Sequence, residues 1–338
     1  MVAASWRDGV SRVLSAPAVL AGVFLVTLVT AAPLALVVRG AIEAHLGRSL
    51  MAETAADGIN YDWWQEFQSQ SSGLGTTFSP AVIGFAATLD NISSVLDARA
   101  EIIPISVALA AYLLAWTFLS GAVLDRYARQ RPTRAHGFFG AAGVHLWRFL
   151  RLGVMAGAIY WFLFSYVHGW LLDDAYTRLT RDLSVEREAF AWRVALYAVF
   201  GSALIAVNTA FDYARIRLVV EDRRSAIGAL KASLAFIVRH AGRVIGLGAL
   251  NALLFLALMA IWALAAPDAG GTGWSMWTTF LGTQLYVLAR LALKLQGMAS
   301  QTSLFQASLA HAGYTAAPAP AWPDSPAADT IVGAPPLR

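Results

Sequence analysis

Four uncharged polar side chains lie inside long apolar segments of the chain, where hydrogen-bonding groups are scarce. They are Ser120, Asn208, Asn251 and Gln284. Counted from the charged residues that end these segments, at about 1.5 Å of helix rise per residue, all four lie roughly 6–12 Å inside the same boundary. Such groups seek partners across helices, so they predict either ordinary interhelical hydrogen bonds or a polar path. None is ionisable, which argues against a proton relay.

A second group of residues is basic and lies in the connection from Phe211 to His240, between two apolar segments. Its members are candidate ligands for anionic lipid headgroups: Arg215, Arg217, Arg223, Arg224, Lys231 and Arg239. Basic residues between apolar segments are typical of cytoplasmic loops. Each one near an anionic membrane surface contributes about 1 kcal/mol of binding free energy. We therefore expect this connection to bind anionic lipid.

An amphipathic helix is predicted near Ala226 to Arg239 within this connection. At about 100° per residue, one arc is apolar and is formed by Ile227, Leu230, Leu234 and Ile237. The charges exclude this helix from the hydrocarbon, and its basic side suits the headgroup level, so we expect it to lie in the membrane plane. The alternative is a helix packed under a neighbouring protein domain. A second in-plane helix is expected near Phe138 to Arg148.

Few other groups in the chain suit catalysis or metal binding. There is no cysteine, which excludes disulfides, thiolate metal sites and thiol catalysis. The six histidines include no i, i+4 metal-ligand pair, and no phosphate-binding Gly loop, His-Glu-x-x-His motif or Gly-x-Ser-x-Gly elbow occurs. We expect no metal, no cofactor and no enzyme, although proteases and acyltransferases of the membrane use motifs short enough to escape this search. The pI near 9.5 does not indicate nucleic-acid binding, because the basic residues lie at the ends of apolar segments.

The segments that position these residues are predicted membrane spans. Of the 338 residues, 58% are hydrophobic and 14% are charged, against about 25% charged in soluble proteins. Runs of about 20 apolar residues can cross a hydrocarbon core of about 30 Å, and they must be helical to satisfy their backbone. We expect six spans, at about Ala16–Val38, Ile103–Val123, Leu152–Leu172, Phe190–Phe211, Val244–Ala265 and Trp274–Leu293. The first run is longer than the core of a signal peptide, which favours a retained anchor.

Charge places the loops between the spans. Residues 40–101 are acidic and poor in basic residues, so they belong outside and are expected to form a small helical extracytoplasmic cap that binds a partner protein. In this cap, Trp63 and Trp64 suit the headgroup belt. Arg290 and Lys294 mark the inner end of the sixth span. Both termini are then cytoplasmic in a bacterial inner membrane, with residues 1–315 as the membrane domain and the Pro/Ala-rich residues 316–338 as a disordered tail.

The basic connection is one of three features that carry a resemblance to known proteins. Together with Tyr61-Asp62-Trp63-Trp64-Gln65-Glu66-Phe67 and the passage from Gly73 to Gly84, it resembles a group of bacterial inner-membrane proteins of unassigned function. More loosely, the six-span plan with a charged amphipathic helix is similar to the membrane domain attached to some glycerophosphodiester phosphodiesterases. The resemblance implies a fold and no catalytic residue, because the soluble metal site of the phosphodiesterase has no counterpart here.

The expected fold is therefore all-α, a polytopic membrane helix bundle. The expected function is that of a non-catalytic membrane subunit or organiser, which binds anionic lipid at its inner face and a partner protein at its outer cap. The alternative is a permease or lipid-handling transporter, with the four polar residues lining a path. Transporters usually place charges near the middle of their spans or use broken helices. The spans after the first show no such charge and only Pro104, in an opening turn, so the organiser is favoured.

Overall fold

The chain is all-helical wherever the computed structural model describes it, which is over residues 1–56, 60–79, 85–99, 103–266 and 273–309. These ranges contain α1 Val2–Leu14, α2 Pro17–Leu46, α3 Ala52–Ala56, α4 Tyr61–Gln70, α5 Phe85–Leu96, α6 Ile103–Arg129, α7 Ala135–Phe162, α8 Tyr176–Thr180, α9 Glu186–Val220, α10 Ala226–Arg239, α11 Ala241–Ala265 and α12 Trp274–Ser308. Two π-helical turns, Leu163–Val167 and Trp170–Ala175, join α7 to α8. The expected all-α class is confirmed, and the predicted tail 316–338 lies outside the described residues.

Five helical segments are long and apolar enough to cross a membrane. They are Pro17–Leu46, Ile103–Arg129, Ala135–Thr180, Glu186–Val220 and Ala241–Ala265, and they coincide with the first five predicted spans to within one residue at their starts or extend beyond them. Large apolar side chains such as Val154, Ile205 and Leu264 are exposed along these helices, as expected for a surface that contacts lipid. The helices therefore indicate a multi-pass membrane protein. The predicted sixth span forms the first part of α12, which is not one of the five.

The connection before the third span differs from the predicted one. We expected a separate in-plane helix near Phe138 to Arg148, but α7 continues unbroken from Ala135 to Phe162, so that prediction was wrong. Glycines within this segment weaken a helix by about 1 kcal/mol each relative to alanine without breaking it, and no proline interrupts it. The basic residue Arg148 instead forms an ion pair with Asp222, in the connection between α9 and α10.

The most extensive buried packing lies at the helix ends that are predicted to be cytoplasmic, and we call this region the base. It consists of α1, α10, the last turns of α6 and α9, and the second half of α12. α1 lies along α12, and a Cβ added to Gly9 would come within 2.8 Å of the backbone nitrogen of Ser300. Only glycine permits this approach.

Two buried arginines join α1 to α6 in the base. Arg12 donates to the carbonyl oxygen of Tyr127 and to Oε1 of Gln306, each at 2.8 Å. In the other direction, Arg126 donates to the carbonyl oxygen of Ser15 at 3.1 Å. The last carbonyl groups of a helix have no partner within it, and cations near them interact favourably with the helix dipole. Each arginine therefore caps the carboxyl end of the other's helix.

Candidate functional site

The helix predicted near Ala226 to Arg239 is present with those bounds as α10, and it folds back along the end of α9. Its first turn is capped by Ser225, whose Oγ accepts from the backbone N–H of Gly228 at 3.1 Å. Ser233 Oγ then donates to the carbonyl oxygen of Ala210 at 2.9 Å. The end of α9 and α10 therefore form a helical hairpin, and the expected position of α10 in the membrane plane stays a prediction.

The buried side of α10 differs from the apolar arc that periodicity indicated. The residues that face the base are mostly small: Ala226, Ala229, Ser233 and Phe236. From the predicted arc, Leu230 and Ile237 pack at the edge of the core, whereas Ile227 and Leu234 are exposed. Small residues allow close approach of two helices. The periodicity of the sequence does not identify this buried side, because the apolar side of a helix is predicted from the positions of its large apolar side chains.

An outward stripe on α10 combines apolar and basic side chains at helical spacing. Ile227, Leu234 and Val238 are 71%, 49% and 77% exposed. Lys231 lies in the same stripe and is also exposed, and the exposed residues Arg224 and Arg239 flank it. We call these six residues the α10 surface.

The other three headgroup candidates have acidic partners. Arg217 is buried in the base, where it pairs with Glu221 at 3.0 Å and lies 5.3 Å from the ring centre of Phe305. Arg223 pairs with Glu221 as well. Arg215 forms an ion pair at 3.2 Å with the aspartate that precedes it by three residues. The structure therefore places Arg217 in the interior of the base, whereas Arg223 and Arg215 are partly exposed.

Two of the four residues predicted to form a polar layer bond within their own helices. Ser120 is buried and donates to the carbonyl oxygen of Thr117 at 3.1 Å. The Asn208 amide donates to the Asp212 carboxylate, one turn further along α9, at 3.2 Å. Neither residue therefore uses its hydrogen-bonding capacity on another member of the layer.

The other two residues lie on α11 and α12. The Asn251 amide donates to Ser300 Oγ at 3.3 Å and so connects these two helices. Gln284 is half-buried on α12. Among the residues that the structure describes, no hydrogen bond joins any two of the four predicted members. This arrangement agrees with the packing interpretation better than with a continuous polar layer.

A groove of about 510 Å³ lies between α2, α6, α11 and α12, and we call it the cationic groove. Its lining includes Thr27, Tyr112, Asn251, Phe255, Arg290 and Lys294. From the sequence, Arg290 and Lys294 were predicted only to mark the inner end of a span. Their i, i+4 spacing, which puts both on one face of α12, was the signal that could have identified them as a pair.

Aromatic rings hold both cations of the groove. The Lys294 ammonium lies 3.7 Å from the ring centre of Trp116 and 5.5 Å from that of Tyr112. The Arg290 guanidinium lies 5.7 Å from the ring centre of Tyr286 and 5.9 Å from that of a phenylalanine of the groove lining. Such contacts contribute about 0.5–2 kcal/mol each and leave the N–H donors of the cation available.

The cap that is predicted to lie outside contains the two tryptophans that were expected in the headgroup belt. Trp63 is buried, and its indole N–H donates to Nδ1 of His45 at 3.1 Å. The indole N–H of Trp64 donates to the carbonyl oxygen of Phe78 at 3.1 Å. The two tryptophans therefore connect α4 to its neighbours, and their position at the headgroup belt stays a prediction. The expected partner protein at this cap stays a prediction.

Comparisons of the chain with protein-family models, with curated proteins and with solved structures found no match. The two resemblances drawn from the sequence therefore stay predictions. Within the described ranges, no group of three or more histidine and acidic side chains is arranged to hold a metal ion. The exposed and groove-lining cations of the described structure are groups that can bind anions.

Proposed function

We propose that this chain is a non-catalytic inner-membrane protein of bacteria, which binds anionic lipid through the α10 surface and organises a partner protein at its outer cap. The α10 surface is the observation that supports the proposal most. Its exposed apolar side chains match the acyl region, and the cations beside them match the headgroup level, where Lys231 can extend its ammonium group to the phosphates. A helix surrounded by water would not be expected to expose so many large apolar side chains on one side.

The proposal includes six spans with both termini in the cytoplasm. The first part of α12 supports a sixth span because its large side chains are exposed, including Trp274, Trp277 and Leu285. Reporter fusions at Gly75 and Arg134 test the orientation, since Gly75 should be extracytoplasmic and Arg134 cytoplasmic. Either fusion on the opposite side would refute this topology.

Lipid binding is tested with the variant Arg224→Gln/Lys231→Gln/Arg239→Gln. Each basic residue near an anionic surface contributes about 1 kcal/mol, so the triple variant should retain at least about tenfold less phosphatidylglycerol on purification. The matched control is Arg178→Gln/Arg181→Gln/Arg187→Gln, which removes three exposed arginines from the predicted outer side. Equal lipid retention by the two triple variants would contradict the proposal.

A lipid-handling transporter is the second candidate, and the cationic groove favours it. The sequence argument against transport was the lack of charge near the middle of the spans, but the groove puts Arg290 and Lys294 beside Thr27 and Asn251. The variant Asn251→Leu separates the two functions in a deletion strain. If Asn251 only packs, the variant should complement deletion, with stability changed by at most about 1–2 kcal/mol. A stable and abundant variant that fails to complement would favour the transporter.

A further inference from the structure

In the part of the chain that the structure describes, the cationic groove is lined by two cations and by no acidic side chain. Among the described residues, no carboxylate lies within 4.0 Å of Arg290 or Lys294. The acidic group whose charge acts on Lys294 is Asp212, and Arg215 already pairs with it at 3.2 Å. These four groups together carry a net charge of two positive units, so the groove lacks a counter-charge of its own.

The cationic groove extends from the base into the predicted membrane spans. Thr27 and Asn251 each lie ten residues beyond the first residue of their helices, α2 and α11, which corresponds to about 15 Å at 1.5 Å of rise per residue. Lys294 lies on the part of α12 that belongs to the base, so the groove reaches from the base into these two predicted spans, near the level expected for headgroups. Cations that line a predicted span mark functional sites by default, because they need an anionic partner there.

The shape and lining of the groove limit the kind of anion that fits. Arg290 offers a planar set of donors that suits two oxygens of one phosphate, and Lys294 adds a point charge one helical turn away. The Asn251 amide has a second N–H beyond the one directed at Ser300. Phe255 and Val287 make other parts of the lining apolar. A small hydrated anion would leave those parts without a partner, whereas an apolar body attached to a phosphate would cover them.

We infer that the cationic groove is a binding site for a phosphate group, with Arg290 and Lys294 as its ligands and the apolar lining in contact with the rest of the molecule. The phosphate can come from a lipid headgroup or from free phosphate. This site is separate from the α10 surface and does not rest on the function proposed for it. The groove would hold a single ligand molecule, whereas the α10 surface would contact the surrounding leaflet.

The test compares the full chain with the variant Arg290→Gln/Lys294→Gln. After stepwise removal of lipid, native mass spectrometry counts the phosphatidylglycerol molecules that remain, with phosphatidylcholine as the neutral reference. Loss of two phosphate contacts should weaken phosphatidylglycerol binding by at least about tenfold. The control Arg178→Gln/Arg181→Gln makes the same change of charge at exposed positions on the predicted outer side and should leave binding unchanged. The α10 triple variant should also keep the groove lipid, which separates the two assignments.

Inorganic phosphate distinguishes the two sources of the ligand. If free phosphate is the ligand, about 10 mM of it should raise the melting temperature of the wild-type chain and not of the groove variant. If only phosphatidylglycerol stabilises the wild-type chain, the ligand is a lipid. Phosphatidylglycerol and phosphate responses that are the same in both proteins would overturn the assignment.

A cysteine probe keeps the assignment testable if the groove variant does not fold. Because the chain has no cysteine, Val287→Cys puts a single thiol in the groove lining. Phosphatidylglycerol or inorganic phosphate should slow its modification by an anionic thiol reagent at least about threefold, as expected for a site that is mostly occupied. An unchanged rate in the presence of both probes would count against the site.

Discussion

The base and the membrane-spanning part of the molecule are built from similar residues but are packed differently. In the base, most side chains of α12 between Leu291 and Gln306 are buried, and polar groups such as Arg12 and Ser300 are enclosed with hydrogen-bonding partners. In the spans, large apolar side chains such as Leu253 and Leu264 are exposed. Lipid can solvate those side chains, whereas burial in the base requires partners of matching shape. Specific contacts should therefore matter more in the base.

The largest expected effect is that of Arg12→Met, which removes the buried cap on α6. The carbonyl oxygen of Tyr127 and the side chain of Gln306 lose a charged donor, so unfolding should become easier by about 3 kcal/mol. The control is Arg39→Met, which removes an exposed i, i+4 pair with Glu43 on α2 and should cost less than about 0.5 kcal/mol. Thermal unfolding in detergent measures both. Equal losses of stability in the two variants would contradict the expectation that specific contacts matter more in the base than in the spans.

Glycine substitutions should change stability in opposite directions in the two regions. Gly9→Ala would force a methyl group against the backbone of Ser300 and should cost about 1–3 kcal/mol. Gly248 lies in α11 with no atom within 4 Å of the added methyl group, so Gly248→Ala should stabilise the helix by up to about 1 kcal/mol. Both are measured as shifts in melting temperature. A stabilised Gly9→Ala variant would show that α1 can move away from α12 at little cost.

Two tyrosines test how well polar groups are satisfied at the two ends of α9. The Tyr213 hydroxyl is buried in the base without a hydrogen-bond partner among the described residues, so Tyr213→Phe should be neutral or stabilising by up to about 1 kcal/mol. Towards the outer end, Tyr197 donates to Asp97 at 2.5 Å, and Tyr197→Phe should cost about 1 kcal/mol or more. Calorimetry on the two variants gives the signs. A marked loss in Tyr213→Phe would reveal a partner for that hydroxyl.

The smallest expected effect concerns pH and the turn that leads into α10. Hydrogen bonding to Arg148 lowers the pKa of Asp222, so the ion pair stabilises the folded chain above the unfolded pKa of about 3.9 and is lost as pH falls through the lower folded value. Asp222→Asn should therefore lower the melting temperature slightly at pH 6 and by less at pH 3. Asparagine suits the φ of 47° at this position, so backbone strain is not added. A difference that grows on acidification would contradict this assignment.

The sequence predicted the positions of the helices better than the side chains that each helix buries. The bounds of α10 were predicted from the periodicity of its apolar side chains and from its charged residues, both of which are local. The burial of Arg217 and the role of Arg290 were not predictable in the same way, because a lipid-facing helix surface and a protein-facing one are both apolar in a membrane. The separate helix near Phe138 was inferred from local amphipathicity, whereas the continuous backbone of α7 decided the outcome. The hydrogen bond between Arg12 and Gln306 joins residues that are 294 positions apart, and no local pattern in the sequence predicts it.

The packing of α1 against α12 also determines when the molecule can complete its fold during synthesis. Gln296 donates to the carbonyl oxygen of Trp6, a contact across 290 residues. At about 5–20 residues per second, translation leaves α1 without this partner for roughly 15–60 s. During that interval the buried side of α1, including Gly9 and Arg12, must stay in contact with water, headgroups or a chaperone. A chain that ends before α12 would therefore carry a first helix without its docking site.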